Sequence, residues 1–126
     1  MVPQELKYTK EHEWMKLDGE TVLIGITDHA QSELGDITFI DLPAPGKQVK
    51  KAESVVTIES VKAASDVYAP VSGEIVEVNE RLEDAPETIN QSPYENGWIF
   101  RVKVSDIGEV EAMMDGVAYE EYLKTL

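Results

Sequence analysis

The sequence contains no cysteine among its 126 residues. Disulfide bonds, thiolate metal sites and a nucleophilic thiol supplied by the chain are therefore excluded. The sequence also lacks any uninterrupted apolar run of roughly 18 residues, the length that a membrane-spanning helix needs. The N-terminal stretch has neither the apolar core of a signal peptide nor the arginines of a transit peptide. We therefore expect a cytoplasmic protein, with a processed mitochondrial chain as the alternative.

Basic residues are scarce, with 11 Lys and Arg against 25 Asp and Glu, and the formal net charge is −14. A nucleic-acid-binding protein needs clusters of basic residues to neutralise phosphates, and the sequence has no such cluster. An anionic membrane surface would repel the chain. The charge therefore predicts neither nucleic acid nor membrane as a partner, and it favours solubility and basic partners.

Residues with hydrophobic side chains make up 42% of the sequence, enough for a folded core. Alternation of apolar and polar residues predicts five strands, over residues 21–26, 36–42, 54–60, 74–79 and 98–104. A hairpin turn is expected around Asp18 and Gly19. The alternation places these residues on the inward faces: Val22, Ile24, Ile26, Ile37, Phe39, Val76, Val78, Trp98, Phe100, Val102 and Val104.

Helical signals are few. Residues 28–35 predict one short helix, with Asp28 as the N-cap, Gln31 as the capping-box partner and Gly35 at the C-terminal end. The tail from residue 105 is predicted to be helical, with Asp106 and Glu109 as a second capping pair. Its expected apolar stripe consists of Val110, Met113, Val117, Tyr119, Tyr122, Leu123 and Leu126.

The segment over residues 81–97 is polar and rich in turn-forming residues, so it predicts an irregular loop with one helical turn, anchored by Leu82, Ile89 and Tyr94. The sequence also contains a weak internal repeat, since residues 35–37 and 73–75 share a Gly-acid-Ile pattern 38 residues apart. These patterns predict a single domain over residues 1–126. The expected fold class is mostly β, a flattened barrel or sandwich of two similar antiparallel halves, with a short internal helix and a C-terminal helical segment.

Lys62 is the basic residue in the stretch ESVKAASDVYAP, residues 59–70, and it lies where one predicted strand must reverse before the next. Most lysines are solvated surface residues without a special role. The small neighbours of Lys62, however, leave it open to a modifying enzyme. An exposed lysine at a turn near the chain midpoint suits covalent attachment of a prosthetic group.

Other chemical signals are weaker. His12 with Glu13, and His29 with Glu33, are too scattered to predict a metal site. Residues 90–92 fit the glycosylation pattern without a secretion signal. The sequence has neither a nucleophile elbow nor a glycine-rich phosphate loop, so hydrolase and nucleotide-binding functions are not expected.

Several long motifs, in order along nearly the whole chain, identify a resemblance to the H-protein family of the glycine cleavage system. The matching stretches are YTKEHEW, IGITDHAQSELGDI, DLPAPG, ESVKAASDVYAPVSGEIVEVN, INQSPYENGW and AYEEYL. This family is related to lipoyl and biotinyl carrier domains, which share a barrel-sandwich hybrid fold. The resemblance implies a carrier and not an enzyme.

The resemblance implies that Lys62 carries lipoic acid through an amide bond. It also implies that the neighbouring residues Glu59, Ser60, Val61 and Ala63 form the attachment context, with Glu59 read by the attaching ligase. Biotin carriers usually place their lysine between two methionines, so Val61 and Ala63 favour lipoate. The sulfur chemistry would then come from the cofactor, which a cysteine-free chain needs.

The resemblance also implies the partners. A glycine decarboxylase, the P protein, would load an aminomethyl group on the arm, and an aminomethyltransferase, the T protein, would take its one-carbon unit. Dihydrolipoamide dehydrogenase, the L protein, would then reoxidise the dithiol. Lipoate-attaching enzymes would be further partners.

In this family the loaded arm folds into a surface cleft. Carboxylates suit a protonated amine, and motif matching makes Glu13 and Asp66 the candidates for holding the arm. The chain departs from some relatives by having Glu11 before the HEW motif and Glu33 in the helix.

Two other functions are compatible with the same motifs. One is a lipoyl relay that donates its cofactor to other dehydrogenase complexes. The other is an interaction domain that is unmodified or biotinylated. The intact mass of the protein from its own host would distinguish lipoyl, biotinyl and bare forms.

Overall fold

A computed structural model describes residues 2–126, which form two antiparallel sheets with short helices, as the alternation predicts. The strands are β1 Lys7–Tyr8, β2 Glu13–Asp18, β3 Thr21–Ile26, β4 Ile37–Asp41, β5 Gln48–Val49, β6 Ser54–Ser60, β7 Ala64–Tyr68, β8 Gly73–Val78 and β9 Phe100–Val104. The larger sheet has six strands in the order β1-β2-β3-β9-β8-β5, and the smaller has three in the order β4-β6-β7.

The helices are α1 Asp28–Leu34, α2 Arg81–Asp84, α3 Thr88–Gln91, α4 Ile107–Glu111 and α5 Gly116–Leu123. α1 connects the two sheets, since it follows β3 and leads into β4. No helix within residues 2–126 is long and apolar enough to cross a membrane.

The main core lies between the two sheets, and both sheets contribute branched side chains to it. Val22, Ile24 and Ile26 from β3 are buried there, as their two-residue spacing predicts. Val56 and Ile58 of β6 enter the same core from the smaller sheet. Burial of these groups supplies the main driving force for packing the sheets.

A second, smaller core covers the opposite face of β2. Leu6, Tyr8, Trp14 and Tyr119 form it, so α5 packs against the N-terminal strands. Gly25 lies opposite Trp14 in the β2–β3 ladder. A Cβ at Gly25 would lie 2.7 Å from the indole ring, so this position needs glycine for the ring to pack against the strand.

Two predictions of inward residues are wrong, and a shift of register explains each. The β4–β6 ladder shifts between Ile37 and Phe39, so Ile40 is buried in place of Phe39, which is 52% exposed. The β8–β9 ladder shifts between Ile75 and Glu77, so Ile75 is buried and Val76 faces out. An extra residue in a strand reverses the alternation beyond it, which sequence periodicity alone does not reveal.

The N-cap of α1 is Thr27 and not Asp28. The Thr27 side-chain oxygen accepts a hydrogen bond from the Ala30 amide at 3.3 Å, while Asp28 begins the helix and accepts one from Gln31 Nε2 at 2.8 Å. Gly35 ends the helix with φ of +78°, as predicted.

The tail is helical, as predicted, but it is divided into α4 and α5. Asp106 caps α4, whereas Glu109 accepts a hydrogen bond from the Ser72 amide at 2.7 Å instead of completing a capping box. Val117 and Leu126 are 63% and 64% exposed, so these two members of the predicted apolar stripe do not join either core. The segment over residues 81–97 contains two four-residue helices, α2 and α3, whose Leu82 and Ile89 are buried anchors.

Candidate functional site

Lys62 lies at the tip of the β6–β7 hairpin, and its side chain is exposed. Ser60 closes the turn, because its amide donates to the Ala63 carbonyl at 2.8 Å and its Oγ accepts from the amides of Lys62 and Ala63. Ala63 and Ala64 are also exposed. A tight turn with small flanking side chains therefore presents the lysine.

The Lys62 side chain passes over the C-terminal end of α1. A Cβ placed on Gly35 would lie 3.0 Å from Lys62 Cε, so the bare glycine leaves room for the lysine stem. The Val61 amide donates to the Asp36 carbonyl at 3.0 Å, which fixes the hairpin tip to the same turn.

The Asn90 side chain stabilises the turn between α1 and β4. Its Oδ1 accepts from the Ile37 amide at 3.0 Å, and its Nδ2 donates to the Gly35 carbonyl at 2.8 Å. In the sequence Asn90 belongs to the glycosylation pattern of residues 90–92 and to the motif INQSPYENGW, and neither indicates this structural role. Its structural role depends on a contact between residues 53 to 55 positions apart, which no local motif reveals.

A cleft of about 420 Å³ lies between α1, the start of β2 and the smaller sheet. Its apolar lining consists of Ile26, Ala30, Leu34, Ile58, Val67 and Leu126. Its acidic lining residues are Glu11, Glu13, Glu33 and Asp66, so both predicted arm-holding residues line the same cleft. Ser65 and two histidines, His12 and His29, complete the wall. The combination suits a ligand with a hydrocarbon body and a cationic end.

Glu13 is the buried acid of the cleft, with 2% of its surface exposed. Its Oε2 accepts from the Tyr68 amide at 2.7 Å, and its Oε1 accepts from the Thr9 hydroxyl at 3.1 Å. Burial raises the pKa of the Glu13 carboxyl to about 7, and these two hydrogen bonds only partly oppose the rise. A cation that enters the cleft would favour the ionised form.

Asp66, unlike Glu13, is exposed, and its backbone is better placed toward the cleft than its side chain. Its Oδ1 accepts from the Thr57 hydroxyl at 3.1 Å, which places its side chain on the outer face of the smaller sheet, away from the buried Ile58. β7 is an edge strand, and the Tyr68 amide points from this edge to Glu13. Because backbone direction repeats every second residue, the amide and carbonyl of Asp66 point toward the same side. Its backbone carbonyl is therefore the better placed acceptor for a group in the cleft.

The two histidines lie together at the cleft, with ring centroids 4.5 Å apart. His12 Nδ1 is 2.8 Å from the Tyr119 hydroxyl, which is 2.7 Å from Thr27 Oγ1. Burial, and then the neighbouring His29, lowers the pKa of His12. Within residues 2–126 no group of three or more His, Asp or Glu side chains is arranged to hold a metal ion.

A second cavity of about 500 Å³ shares Glu11 and Glu13 with the cleft. It reaches β7 only at Tyr68, the end of the strand remote from Lys62, and its lining is mainly apolar. Its larger volume therefore does not make it the better candidate for a group carried on Lys62.

Comparison with known proteins gives a consistent result. Residues 6–126 match the family model described as glycine cleavage H-protein. The chain is 52% identical over 124 residues to a glycine cleavage system H protein of Thermus thermophilus, covering 98% of this chain and 97% of that protein. It is 55% identical to a glycine cleavage system H protein of Escherichia coli, covering 98% of this chain and 96% of the relative.

A solved structure shows the same architecture. The crystal structure of a glycine cleavage system H protein from Mycobacterium marinum matches with a TM-score of 0.90 at 36% identity, covering 98% of this chain and 99% of that chain. The mostly β fold with two antiparallel sheets is therefore confirmed.

Proposed function

Since this chain belongs to the glycine cleavage H-protein family, we propose that Lys62 is the residue that carries its lipoyl group. Members of this family are non-catalytic carriers of the glycine cleavage system. The protein is accordingly a lipoylated shuttle that takes the aminomethyl group from glycine decarboxylase to the aminomethyltransferase, and electrons to dihydrolipoamide dehydrogenase. We also infer that residues 1–126 act as one carrier domain, and that it works in the cytoplasm.

The residues present fit a lipoyl group. Lys62 offers an exposed amine at a tip where no bulky neighbour blocks an approaching enzyme. The cleft beside the hairpin offers apolar walls for a hydrocarbon arm. When bound, the lipoyl group supplies the disulfide and dithiol chemistry that this cysteine-free chain lacks.

Glu13 and Asp66 are proposed to hold the loaded arm in the cleft. Asp66 lies on β7, four residues after Lys62 in the sequence, so the two are at most about 13 Å apart at 3.3 Å per residue. Tyr68, whose amide binds Glu13, lies two residues further. The edge of β7 therefore leads from the attachment residue to the buried carboxylate, and this alignment is the observation that supports the arm-holding role best.

The attachment context of Lys62 is also a proposal. Glu59 is exposed on β6, three residues before Lys62, where an attaching enzyme can contact it. Ser60 closes the turn, and the exposed side chains of Val61 and Ala63 flank the lysine.

The decisive experiment replaces Lys62 by arginine. Arginine keeps the charge but cannot form the lipoyl amide, so Lys62→Arg should lose glycine cleavage in a reconstituted assay. The exposed turn carries little packing energy, so the free energy of unfolding should change by no more than about 0.5 kcal/mol. Lys103→Arg, at an exposed lysine of β9, is the matched control and should retain full activity. Lipoyl mass retained on the Lys62→Arg protein would refute the assignment.

A further inference from the structure

Phe39 is a large apolar side chain that the fold turns toward solvent. The register shift between Ile37 and Phe39 puts it on the outer face of the smaller sheet, where it is 52% exposed. A second exposed apolar side chain, Val61, is 67% exposed directly beside Lys62. Neither residue contributes to the cleft.

Cross-strand pairing shows which side chains share this face with Phe39. Glu59 is the β6 partner of both Phe39 on β4 and Ala64 on β7, so these three form one row. Thr57 is likewise the partner of both Asp41 and Asp66 and belongs to the same face. The outer face of the smaller sheet therefore consists of Phe39, Asp41, Thr57, Glu59, Ala64 and Asp66.

The charge of the outer face has one sign. β4, β6 and β7 contain the acids Asp41, Glu59 and Asp66 and no Lys, Arg or His. Lys62, between β6 and β7, is the basic residue of the hairpin, and acylation removes its charge. The surface therefore has an aromatic side chain surrounded by carboxylates, which complements an apolar recess surrounded by basic residues.

We propose that the outer face is the docking surface for the lipoate-attaching enzyme, with Phe39 as the apolar anchor. This inference rests on the proposed role of Lys62. In the reaction Lys62 Nζ attacks the lipoyl carbonyl of an activated donor, the amide bond forms, Nζ releases a proton and the donor's leaving group departs.

The attaching enzyme is the partner that must reach the lysine itself. Its reacting carbonyl has to meet Nζ, so its surface must approach the residues next to Lys62. The row through Phe39 and Glu59 is close to this point, because Glu59 precedes Lys62 by three residues and Ala64 follows it by two. The enzymes that use the finished arm react at its far end, an arm's length from the hairpin. Replacing Phe39 should therefore affect the attachment of lipoate more than the later transfer of the aminomethyl group and electrons.

The test measures attachment kinetics on the unmodified protein with a purified lipoate-attaching enzyme and its activated lipoyl donor. Phe39→Thr should raise KM for the protein about tenfold with kcat unchanged, the loss expected when an aromatic interface anchor is truncated. Phe39→Tyr should retain the wild-type KM. Leu17→Thr is the matched control, because Leu17 is 49% exposed on β2 in the other sheet and should have no effect.

Asp41, an acidic residue of the outer face, gives a separate prediction about the salt dependence of attachment. Asp41→Asn should weaken attachment about threefold at low salt, with a smaller effect at high salt, because rim charges act mainly on the rate of association. Thermal unfolding midpoints of all variants should match that of the wild type, since each side chain is exposed.

The second measurement is the activity of the lipoylated protein with its three partner enzymes, which Phe39 should not affect. Phe39→Thr protein that has been fully lipoylated by prolonged incubation should show wild-type KM values for glycine decarboxylase and the other two partners. An unchanged KM for attachment would overturn the inference, and so would a raised KM for a carriage partner together with normal attachment. Lipoyl mass on a peptide without Lys62 in the wild type would instead overturn the proposed function.

Discussion

Glu13 shows how one side chain acquires a property that its sequence position does not display. It is one of 25 acidic residues, yet it is buried with two hydrogen-bond donors and its pKa is raised to about 7. Asp66, matched to the family by a motif of equal clarity, stays exposed and bonds Thr57 on the outer face. The two predicted arm-holding residues therefore call for different tests.

Glu13→Gln should speed the release of ammonia from the loaded protein by about ten- to a hundredfold. The reason is the loss of a charge-assisted hydrogen bond to a shielded cation, worth roughly 1.5–3 kcal/mol. Ammonia is followed in the absence of the aminomethyltransferase. Asp66→Asn is the matched comparison and should have a smaller effect, because its backbone carbonyl is unchanged. Wild-type decay in the Glu13 variant would exclude Glu13 from the role.

Glu13 should also make stability depend on pH. The unfolded chain ionises this carboxyl near its ordinary pKa of 4.5, whereas the folded state holds the proton up to about pH 7. The folded state therefore binds more protons in this range, so the stabilisation is fully present below 4.5 and is lost as pH rises through 7. The loss is on the order of 3 kcal/mol.

Urea unfolding at pH 5 and pH 8 measures this effect. The difference in unfolding free energy between wild type and Glu13→Gln should move in favour of the variant by roughly 2–3 kcal/mol at the higher pH. Glu11→Gln, at an exposed neighbouring acid, should show no comparable change. A pH-independent difference for Glu13→Gln would contradict the raised pKa.

At the scale of the element, α1 is the part of the fold that positions the site. Its N-cap Thr27 bonds Tyr119, its middle lines the cleft, and its end at Gly35 receives the Lys62 side chain. Asn90 fixes the turn that follows it. A seven-residue helix has little intrinsic stability, so these tertiary contacts hold it in place.

Thr27→Ala should lower the free energy of unfolding by roughly 1–2 kcal/mol, since it removes a cap and a buried hydrogen bond. Asp28→Ala is the discriminating control and should cost only about 0.5 kcal/mol, from the lost charge in the first turn. Chemical denaturation of both variants measures the difference. A larger loss for Asp28→Ala would favour Asp28 as the cap, as the sequence pattern predicts.

At the scale of the whole molecule, α5 near the C-terminus packs against the N-terminal strands and contacts the wall of the cleft through Tyr119. Tyr119 stacks on Tyr8 with ring centroids 4.6 Å apart, and its hydroxyl bonds both His12 and Thr27. Each buried side-chain nitrogen or oxygen in the described part of the chain has a hydrogen-bond partner. Through the Tyr119 hydroxyl, the second core therefore helps to position His12 in the wall of the cleft and Thr27 at the start of α1.

Tyr119→Phe should cost about 1–3 kcal/mol of unfolding free energy, because it leaves the buried Thr27 hydroxyl with fewer partners. Tyr122→Phe, on the same helix, is the control. The Tyr122 hydroxyl makes only a long 3.5 Å hydrogen bond to the Lys10 carbonyl, so its loss should be below about 0.5 kcal/mol. Equal losses for the two variants, measured by denaturation, would show that the Tyr119 hydroxyl bonds add nothing.

The sequence by itself determined the features that depend on near neighbours. Alternating branched residues specified β3, β6 and β9, because side chains repeat every second residue in any strand. Gly35 ended α1, since glycine adopts positive φ without strain. The small residues around Lys62 predicted an exposed turn, and the long motifs predicted the family.

The tertiary structure alone decided the features that depend on partners distant in sequence. The bulge that exposes Phe39 comes from the β4–β6 register, and Thr27 outcompetes Asp28 as the cap within a buried contact to Tyr119. Glu13 has its raised pKa because the fold buries its carboxyl against the edge of β7. Burial, register and pKa are set by what packs against a residue, and a single sequence does not state which distant residues those are.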